Sequence, residues 1–581
     1  MPHRPLPSSI QVLRNPDQEA LRALALTHTP AVARSSTGTL NKVSRNKSRV
    51  AKYTYVIGTP EDAARISAQL IDPARAQALI ARQAAFLESR GQVIEVQGRL
   101  GIGPRAASVQ WLYSVEAANI AAMQQVLAFP AEQPGDAFTP DFRVIYTPDC
   151  PAVGMPGEQA ILVDLDEMTT YILGPDYFGE SKKGALRMLC AQVYAKGGLV
   201  LHAGAKLVHV GDRDVTMTIM GLSGTGKTTT TFSKQGTLTQ PVQDDMVALW
   251  PEGELSVTEN GCFAKTFGLS EETEPVIWRG TLDPRAWTEN VYLDEDGVAD
   301  FSKGALSPED VARLADVLIG TGADPEKVAA YASGAHSLDE LLDERGTPQD
   351  GWDFVKWTEN GRSIIPFAAV DDAADLTRLP PVRSMGILNR DEGADAATPG
   401  LVRFTSPEQA AGFFMLGETT KTSAAGKETG KTRSPFTQPF FPLAHGLQAR
   451  RFSALAETMP GVDLWMMNTG FVGGDGRSVK QGVGLKVKIH HSSAMLEAML
   501  GGQVVWVKDP DFGYEVVDVD APQNAALLAL VPAEILQPRR LFAAQGRSAD
   551  HDAWAARMRQ ERRAFLLRFG VDEAIITATC G

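Results

Sequence analysis

The chain has 581 residues, 44% hydrophobic and 22% charged, with a formal net charge of −14. That length accommodates two or three compact regions of roughly 100–200 residues each. The acidic balance argues against a nucleic-acid binder, which needs a basic surface. The four cysteines, Cys150, Cys190, Cys262 and Cys580, show no CxxC spacing, so neither a zinc motif nor a redox pair is expected, and free thiols in a reducing cytosol fit the pattern.

In chain order, the N-terminal MPHRPLPSSIQVL lacks the apolar run of a signal peptide. No stretch reaches the roughly 18 apolar residues a membrane helix needs, so a cytoplasmic protein without membrane or nucleic-acid partners is expected. Residues 1–50 are polar and broken, and 34–52 are rich in Arg and Lys, a pattern that predicts a solvated basic arm. From 53 to 175, short apolar strands such as 53–57 and 160–163 flank helix-like stretches of Ala, Leu and Gln, which reads as mixed α/β. Strand-length apolar runs return at 199–201, 215–220 and 247–250. Residues 303–350 carry helical patterns, for example 308–319 with Pro308 in the first turn. Residues 420–436, rich in Lys, Thr and Gly, read as a loop, either plain surface or one that closes over phosphates. Residues 550–569 predict a basic amphipathic helix that packs one face on a core.

The strongest signal is Gly221-Leu222-Ser223-Gly224-Thr225-Gly226-Lys227-Thr228, followed by Thr229, which fits GxxxxGK[ST] at every fixed position. A strand is expected before it and a helix after it, the context a P-loop requires. The glycines let backbone N–H groups turn inward onto phosphate oxygens, and the following helix N-terminus adds partial positive charge. Lys227 can reach the β- and γ-phosphates of ATP, and the Thr228 hydroxyl can bind Mg²⁺. Downstream, Asp244-Asp245 beside an apolar run places two adjacent carboxylates where a cation would neutralise them. By itself such a pair is also compatible with a solvated turn.

These residues resemble the ATP-dependent phosphoenolpyruvate carboxykinases. GLSGTGKTT is similar to that family's nucleotide loop. Gly179-Glu180-Ser181-Lys182-Lys183-Gly184 resembles its GExKKG, and Leu201-His202-Ala203-Gly204-Ala205 falls where the family has a His-Cys-Ser-Ala-Asn segment. Asp244-Asp245 resembles its DD pair, Glu259 to Thr266 its EGGCYAKT, and Leu269-Ser270 to Glu274-Pro275 its LSxExEP. Thr358-Glu359-Asn360-Gly361-Arg362 resembles TENTR, and Asn468 to Gly474 resembles NTGWxGG. The resemblance implies two α/β lobes with a cleft between them and the P-loop in the C-terminal lobe. The expected regions are 1–205 on the substrate side, 206–500 for the nucleotide, and 501–581 as a helical extension.

The implied reaction converts oxaloacetate and ATP to phosphoenolpyruvate, CO₂ and ADP, with Mn²⁺ on Lys183, His202 and Asp245 and Mg²⁺ on Thr228 and the phosphates. A lysine ligates only as the neutral amine, so burial and a neighbouring cation such as Lys182 must depress its pKa. Lys182, Lys227 and Arg362 would spread the charge of the transferring phosphoryl group. Glu274 would orient groups around the substrate and metal, and Lys265 would line the nucleotide pocket.

Three departures concern the carboxylic substrate and the nucleotide. The chain lacks the family's GRSPKDK segment, and Arg45, within Ser44-Arg45-Asn46-Lys47-Ser48-Arg49, is the nearest candidate for the carboxylate fork. His202 is followed by Ala-Gly-Ala, without the thiol and hydroxyl. Lys486 stands where the family places an arginine near the base and ribose. A small-molecule enzyme, monomeric or a small homo-oligomer, is therefore expected. The alternatives are a P-loop kinase of the same superfamily acting on another small molecule or a protein, or a nucleotide sensor without turnover.

Overall fold

The protein is described by a computed structural model covering residues 9–46, 50–221, 231, 238–303, 306–335, 358–421 and 430–581. Its α and β elements group into two units. One is Met1–Gln192 with Thr258–Asp371, and the other is Val193–Val257 with Asp372–Gly581. The chain therefore crosses between units three times, which differs from single boundaries near 205 and 500.

The first unit holds a nine-stranded mixed sheet. The strand Gln11–Arg14 lies parallel to Gln92–Leu100 at its edge, so residues 9–46 are not a solvated basic arm. Asp17 caps the helix Gln18–His28 by accepting from the Ala20 N–H at 2.8 Å, and Leu21 and Ala25, one turn apart, are buried. Beyond it, Val32–Arg34 and Leu40–Lys42 pair antiparallel. The basic charge there is neutralised internally. Lys42 is 1% exposed, donates to the Pro30 carbonyl at 2.7 Å, and lies 3.3 Å from Asp176.

A second, five-stranded sheet of this unit runs Gly261–Lys265, Arg362–Pro366, Trp287–Glu289, Leu40–Lys42, Val32–Arg34. Its strands come from segments more than two hundred residues apart, which no local pattern announces. The helix Phe178–Ala195 is buried over most of its circumference although Glu180, Ser181, Lys182, Lys183 and Arg187 are polar, so its polar groups need internal partners. Around it Glu180 accepts from the Val50 N–H at 2.7 Å, and the Ser181 hydroxyl bonds Tyr113 at 2.7 Å and Gln124 at 3.0 Å.

The second unit is built on an eight-stranded sheet. At its centre Arg213–Met220, Val382–Asn389 and Asp463–Asn468 run parallel. Strands covered on both faces read as continuous apolar runs, which is why 215–220 was legible as a strand. Gly386 sits directly beside Trp465, and a Cβ there would fall 2.1 Å from the indole. The indole N–H instead donates to Ser384 at 2.8 Å. The carboxyl ends of the three parallel strands emerge side by side at Gly221, Arg390 and Thr469.

Two expectations are refined. The helical pattern 308–319 forms two short helices, Pro308–Arg313 and Ala315–Gly320, parted at Leu314 with ψ 10°. The C-terminal amphipathic helix spans Ser548–Arg568 and buries His551, Trp554, Ala555, Met558, Arg562, Phe565 and Leu566, one helical face. Residues 420–436 are flanked by a hairpin of Glu418–Lys421 with Gly430–Arg433, and 422–429 lie outside the described residues. No helix among the described residues is long and apolar enough to cross a membrane.

Candidate active-site residues

In the second unit, Gly221 follows the strand Arg213–Met220 as the P-loop pattern demands. Leu222, Ser223, Gly224, Thr225, Gly226, Lys227, Thr228 and Thr229 lie outside the described residues. Thr231, just beyond them, is buried and helical. Its side chain occupies the place a Cβ at Gly204 would take, only 2.4 Å from the ideal position. Glycine at 204, two residues after His202, is thus a packing requirement set by Thr231.

His202 and Asp245 meet. His202 Nε2 lies 2.9 Å from Asp245 Oδ1, and Nδ1 lies 2.9 Å from the Phe436 carbonyl. A carbonyl oxygen only accepts, so Nδ1 carries a proton. If the ring is neutral, the Nε2 lone pair then faces a carboxylate oxygen. Two acceptors at that distance repel unless the imidazole gains a second proton or a cation joins them. The carbonyl that fixes the tautomer is the usual outer support of a histidine ligand. An imidazole nitrogen and a carboxylate are donors that suit Mn²⁺, so this pair fits a divalent cation. Lys486 pairs with Phe471 across a two-stranded ladder and places Nζ 4.3 Å from that ring's centre. It donates to the Thr469 carbonyl at 3.2 Å. Burial, then Arg390, lowers its ammonium pKa.

The first unit holds the other candidates. Lys182 and Lys183, on the helix Phe178–Ala195, are 1% and 6% exposed. Lys182 pairs with buried Glu259 at 2.9 Å and stands 4.9 Å over the Phe263 ring. Arg362 covers the same ring at 5.5 Å, and cation–π attraction of this kind grows as water is excluded. The sheet register sets Lys265, Arg362, Glu289 and Lys42 in one row across four strands. Burial and then Arg362 lower the Lys265 pKa.

Glu289, which the sequence gave no reason to select, is fully buried and accepts from the Phe178 N–H at 3.1 Å. Burial pushes its carboxyl up to about 8, with Asp176 adding to the rise and Lys42 and Arg362 opposing it, so a protonated acid sits at the start of the lysine-bearing helix at neutral pH. Only strand register, not local pattern, places it between Arg362 and Lys42.

Arg45 is already engaged, with Nη1 2.8 Å from Asp149, Nη2 2.7 Å from the Pro148 carbonyl, and Asp176 3.9 Å from Nε. Glu274 is half-buried at the N-cap of the helix Pro275–Leu282 and makes no capping bond.

The family model described as phosphoenolpyruvate carboxykinase, in its ATP form, matches residues 10–312 and 341–522. The chain belongs to this carboxykinase family. Among its relatives, the phosphoenolpyruvate carboxykinase (ATP) of Thermus thermophilus is 28% identical over 448 residues, 75% of this chain and 69% of that protein. The proteins of the same name from a Bradyrhizobium species and from Mesorhizobium japonicum are 29% and 30% identical over 416 and 419 residues. Those alignments cover 69% and 70% of this chain and 64% of each relative. The carboxykinase match takes in every candidate residue named above and stops at 522, so the helix Ser548–Arg568 lies beyond it.

Proposed function

We propose that the chain catalyses ATP-dependent decarboxylation and phosphorylation of oxaloacetate to phosphoenolpyruvate, CO₂ and ADP, as a cytoplasmic enzyme of gluconeogenesis. The observation that carries this reading is the His202–Asp245 pair, whose tautomer is set for a cation, within a chain of the carboxykinase family. A simple phosphoryl-transfer enzyme has no need of that second cation site.

In this reading the P-loop, Gly221 to Thr229, lies in the C-terminal lobe and holds ATP with Mg²⁺ on Thr228. A divalent cation, Mn²⁺, on His202 and Asp245 would supply Lewis-acid stabilisation of the charge left as CO₂ departs. The remaining work falls to side chains of the chain itself. Lys182, held against Phe263 by Glu259, and Arg362 over the same ring offer fixed positive charge to phosphoryl and carboxylate oxygens. Lys227 draws the β- and γ-phosphates. Lys265 and Lys486 extend the positive lining toward the nucleotide, and Glu274 orients neighbouring donors. Arg45 would take the substrate carboxylate in exchange for its Asp149 contact.

The test is a coupled assay with phosphoenolpyruvate, bicarbonate, ADP, Mn²⁺ and Mg²⁺, in which malate dehydrogenase and NADH report oxaloacetate. The expected result is ADP-dependent NADH loss that falls about a hundredfold or more in His202→Ala, together with a raised KM for phosphoenolpyruvate in Arg45→Gln. Tight ATP binding without turnover would sink the carboxykinase reading. The engagement of Arg45 by Asp149 and Pro148 would then favour a P-loop kinase acting on another small molecule or a protein.

A further inference from the structure

In the first unit, the buried carboxyl groups Asp176, Glu180, Glu259 and Glu289 gather around the first turns of the helix Phe178–Ala195. The first three each hold a cation: Asp176 lies 3.3 Å from Lys42, Glu180 3.4 Å from Arg187, and Glu259 2.9 Å from Lys182. Glu289 stands directly opposite Arg362 on one side and Lys42 on the other. Directly paired side chains project from the same face of a sheet, with Cβ atoms about 5 Å apart in an antiparallel pair. Yet neither cation turns to it. Lys42 goes to Asp176 and the Pro30 carbonyl. Arg362 goes to the Gly361 carbonyl at 3.1 Å, to Tyr177 and to the face of Phe263. On Glu289 itself, Oε1 accepts from the Phe178 N–H at 3.1 Å, and the buried Oε2 has no hydrogen-bond partner among the described residues.

A carboxylate so placed would close on its neighbour, because a buried charge without a partner is costly and a guanidinium fork satisfies both carboxylate oxygens. A neutral carboxylic acid has no such pull. The separation of Glu289 from both cations is the geometry of the protonated acid, and burial pushes this carboxyl up to about 8. The charged and titratable groups that face it are Asp176, Tyr177 and Glu180 at the helix start, Tyr146 on the strand Phe142–Thr147, Lys42 and Arg362. Burial raises both phenols above 10, and the two carboxylates already have cations. Glu289 is therefore the member of this set that changes charge between pH 7 and 9. The consequence falls on Arg362. Lys265 adjoins it in register and Lys182 shares its ring, so an ionised Glu289 would be the nearest carboxylate for its guanidinium to meet.

We propose that Glu289 is a positioning residue for substrate binding: uncharged, it leaves the Arg362 guanidinium to the phosphoryl or carboxylate oxygens of the substrate, and as a carboxylate it draws that guanidinium to itself. On ionisation the Glu289 proton passes to solvent, and the ion pair formed with Arg362 competes with the substrate anion. This rests on the reading of Arg362 as an anion-binding group of a carboxykinase. Affinity for the anion should hold below about pH 8 and fall above it.

The experiment is calorimetric titration of the full chain with phosphoenolpyruvate, and with inorganic phosphate, at pH 7 and pH 9. Over that span a group that titrates near 8 goes from about one-tenth to about nine-tenths ionised. Wild-type affinity for phosphoenolpyruvate is therefore expected to fall about three- to tenfold. Glu289→Gln, which keeps an oxygen for the Phe178 N–H and cannot ionise, should show a fall of less than about twofold. Arg362→Gln should bind phosphoenolpyruvate more weakly than wild type at pH 7, with little dependence on pH. A wild-type affinity that is level from pH 7 to 9 overturns the proposal, as does a fall in Glu289→Gln equal to that of wild type. Should Glu289→Gln fail to fold, Arg362→Gln decides: a fall as steep as in wild type overturns the proposal, and a level response supports it. A chain that binds inorganic phosphate with this difference between wild type and Glu289→Gln, but does not bind phosphoenolpyruvate, supports the role of Glu289 and sinks only the carboxykinase. A chain that binds neither anion overturns both.

Discussion

Lys206 shows what a single residue can cost in this sheet. It lies on the strand Ala203–Val210, is 1% exposed, and burial lowers its pKa from 10.5 to about 8. Between those values the folded state binds fewer protons than the unfolded chain, so stability should rise with pH from about 8 to 10.5. Below pH 8 the buried ammonium costs about 3 kcal/mol. Lys206→Met, apolar and similar in length, should therefore stabilise the protein at pH 7 by roughly 1–3 kcal/mol. The gain should vanish near pH 10.5, as read from urea midpoints of both proteins at each pH. His202 and Asp245 were legible because short motifs in a fixed order marked them. Glu289 was not, since its meaning comes from neighbours on the strands Leu40–Lys42 and Arg362–Pro366, far from it in the chain.

At the scale of elements, the helix Ser548–Arg568 and the paired strands Glu418–Lys421 and Gly430–Arg433 are joined by one buried ion cluster. Arg562 is 2% exposed, stacks between Phe413 and Phe512, and bonds Glu418, which also holds Arg433 at 2.7 Å. Burial raises the Glu418 carboxyl, but Arg562 and then Arg433 outweigh it and hold the pKa down to about 2. Its stabilising share is therefore present above about pH 4.5 and lost as pH falls toward 2. Arg562→Met should cost about 3–5 kcal/mol near neutral pH by leaving that buried carboxylate with Arg433 alone, and should flatten the acid limb of a melting-temperature profile taken from pH 7 to 2.5. The helix itself was readable, since its stretch is rich in Ala and Arg and holds no Gly or Pro. That its buried face would include an arginine was not, because Glu418 is far away in the chain. Residues 9–46 depart from a solvated arm for a related reason: their polarity hides strands whose partners are Gln92–Leu100 and Trp287–Glu289.

For the whole molecule, α/β character and family were open to sequence reading, because apolar runs and ordered motifs are local. The division into units was not, because pairings between distant segments leave no trace in composition. One consequence is that residues 1–205 should not form a stable body alone. The strand Leu40–Lys42 needs Trp287–Glu289, which in turn needs Arg362–Pro366. A fragment of 1–205 should give no cooperative thermal transition by circular dichroism, and a sharp transition would show that the five-stranded sheet is dispensable to it.

The same interleaving has a meaning for synthesis. Ribosomes extend chains at about 5–20 residues per second, so Leu40–Lys42 emerges roughly 10–50 seconds before the strand it lies beside. Over that interval a strand edge made to be covered stays bare. Extra holding chaperone during synthesis should therefore raise the share of this protein recovered folded.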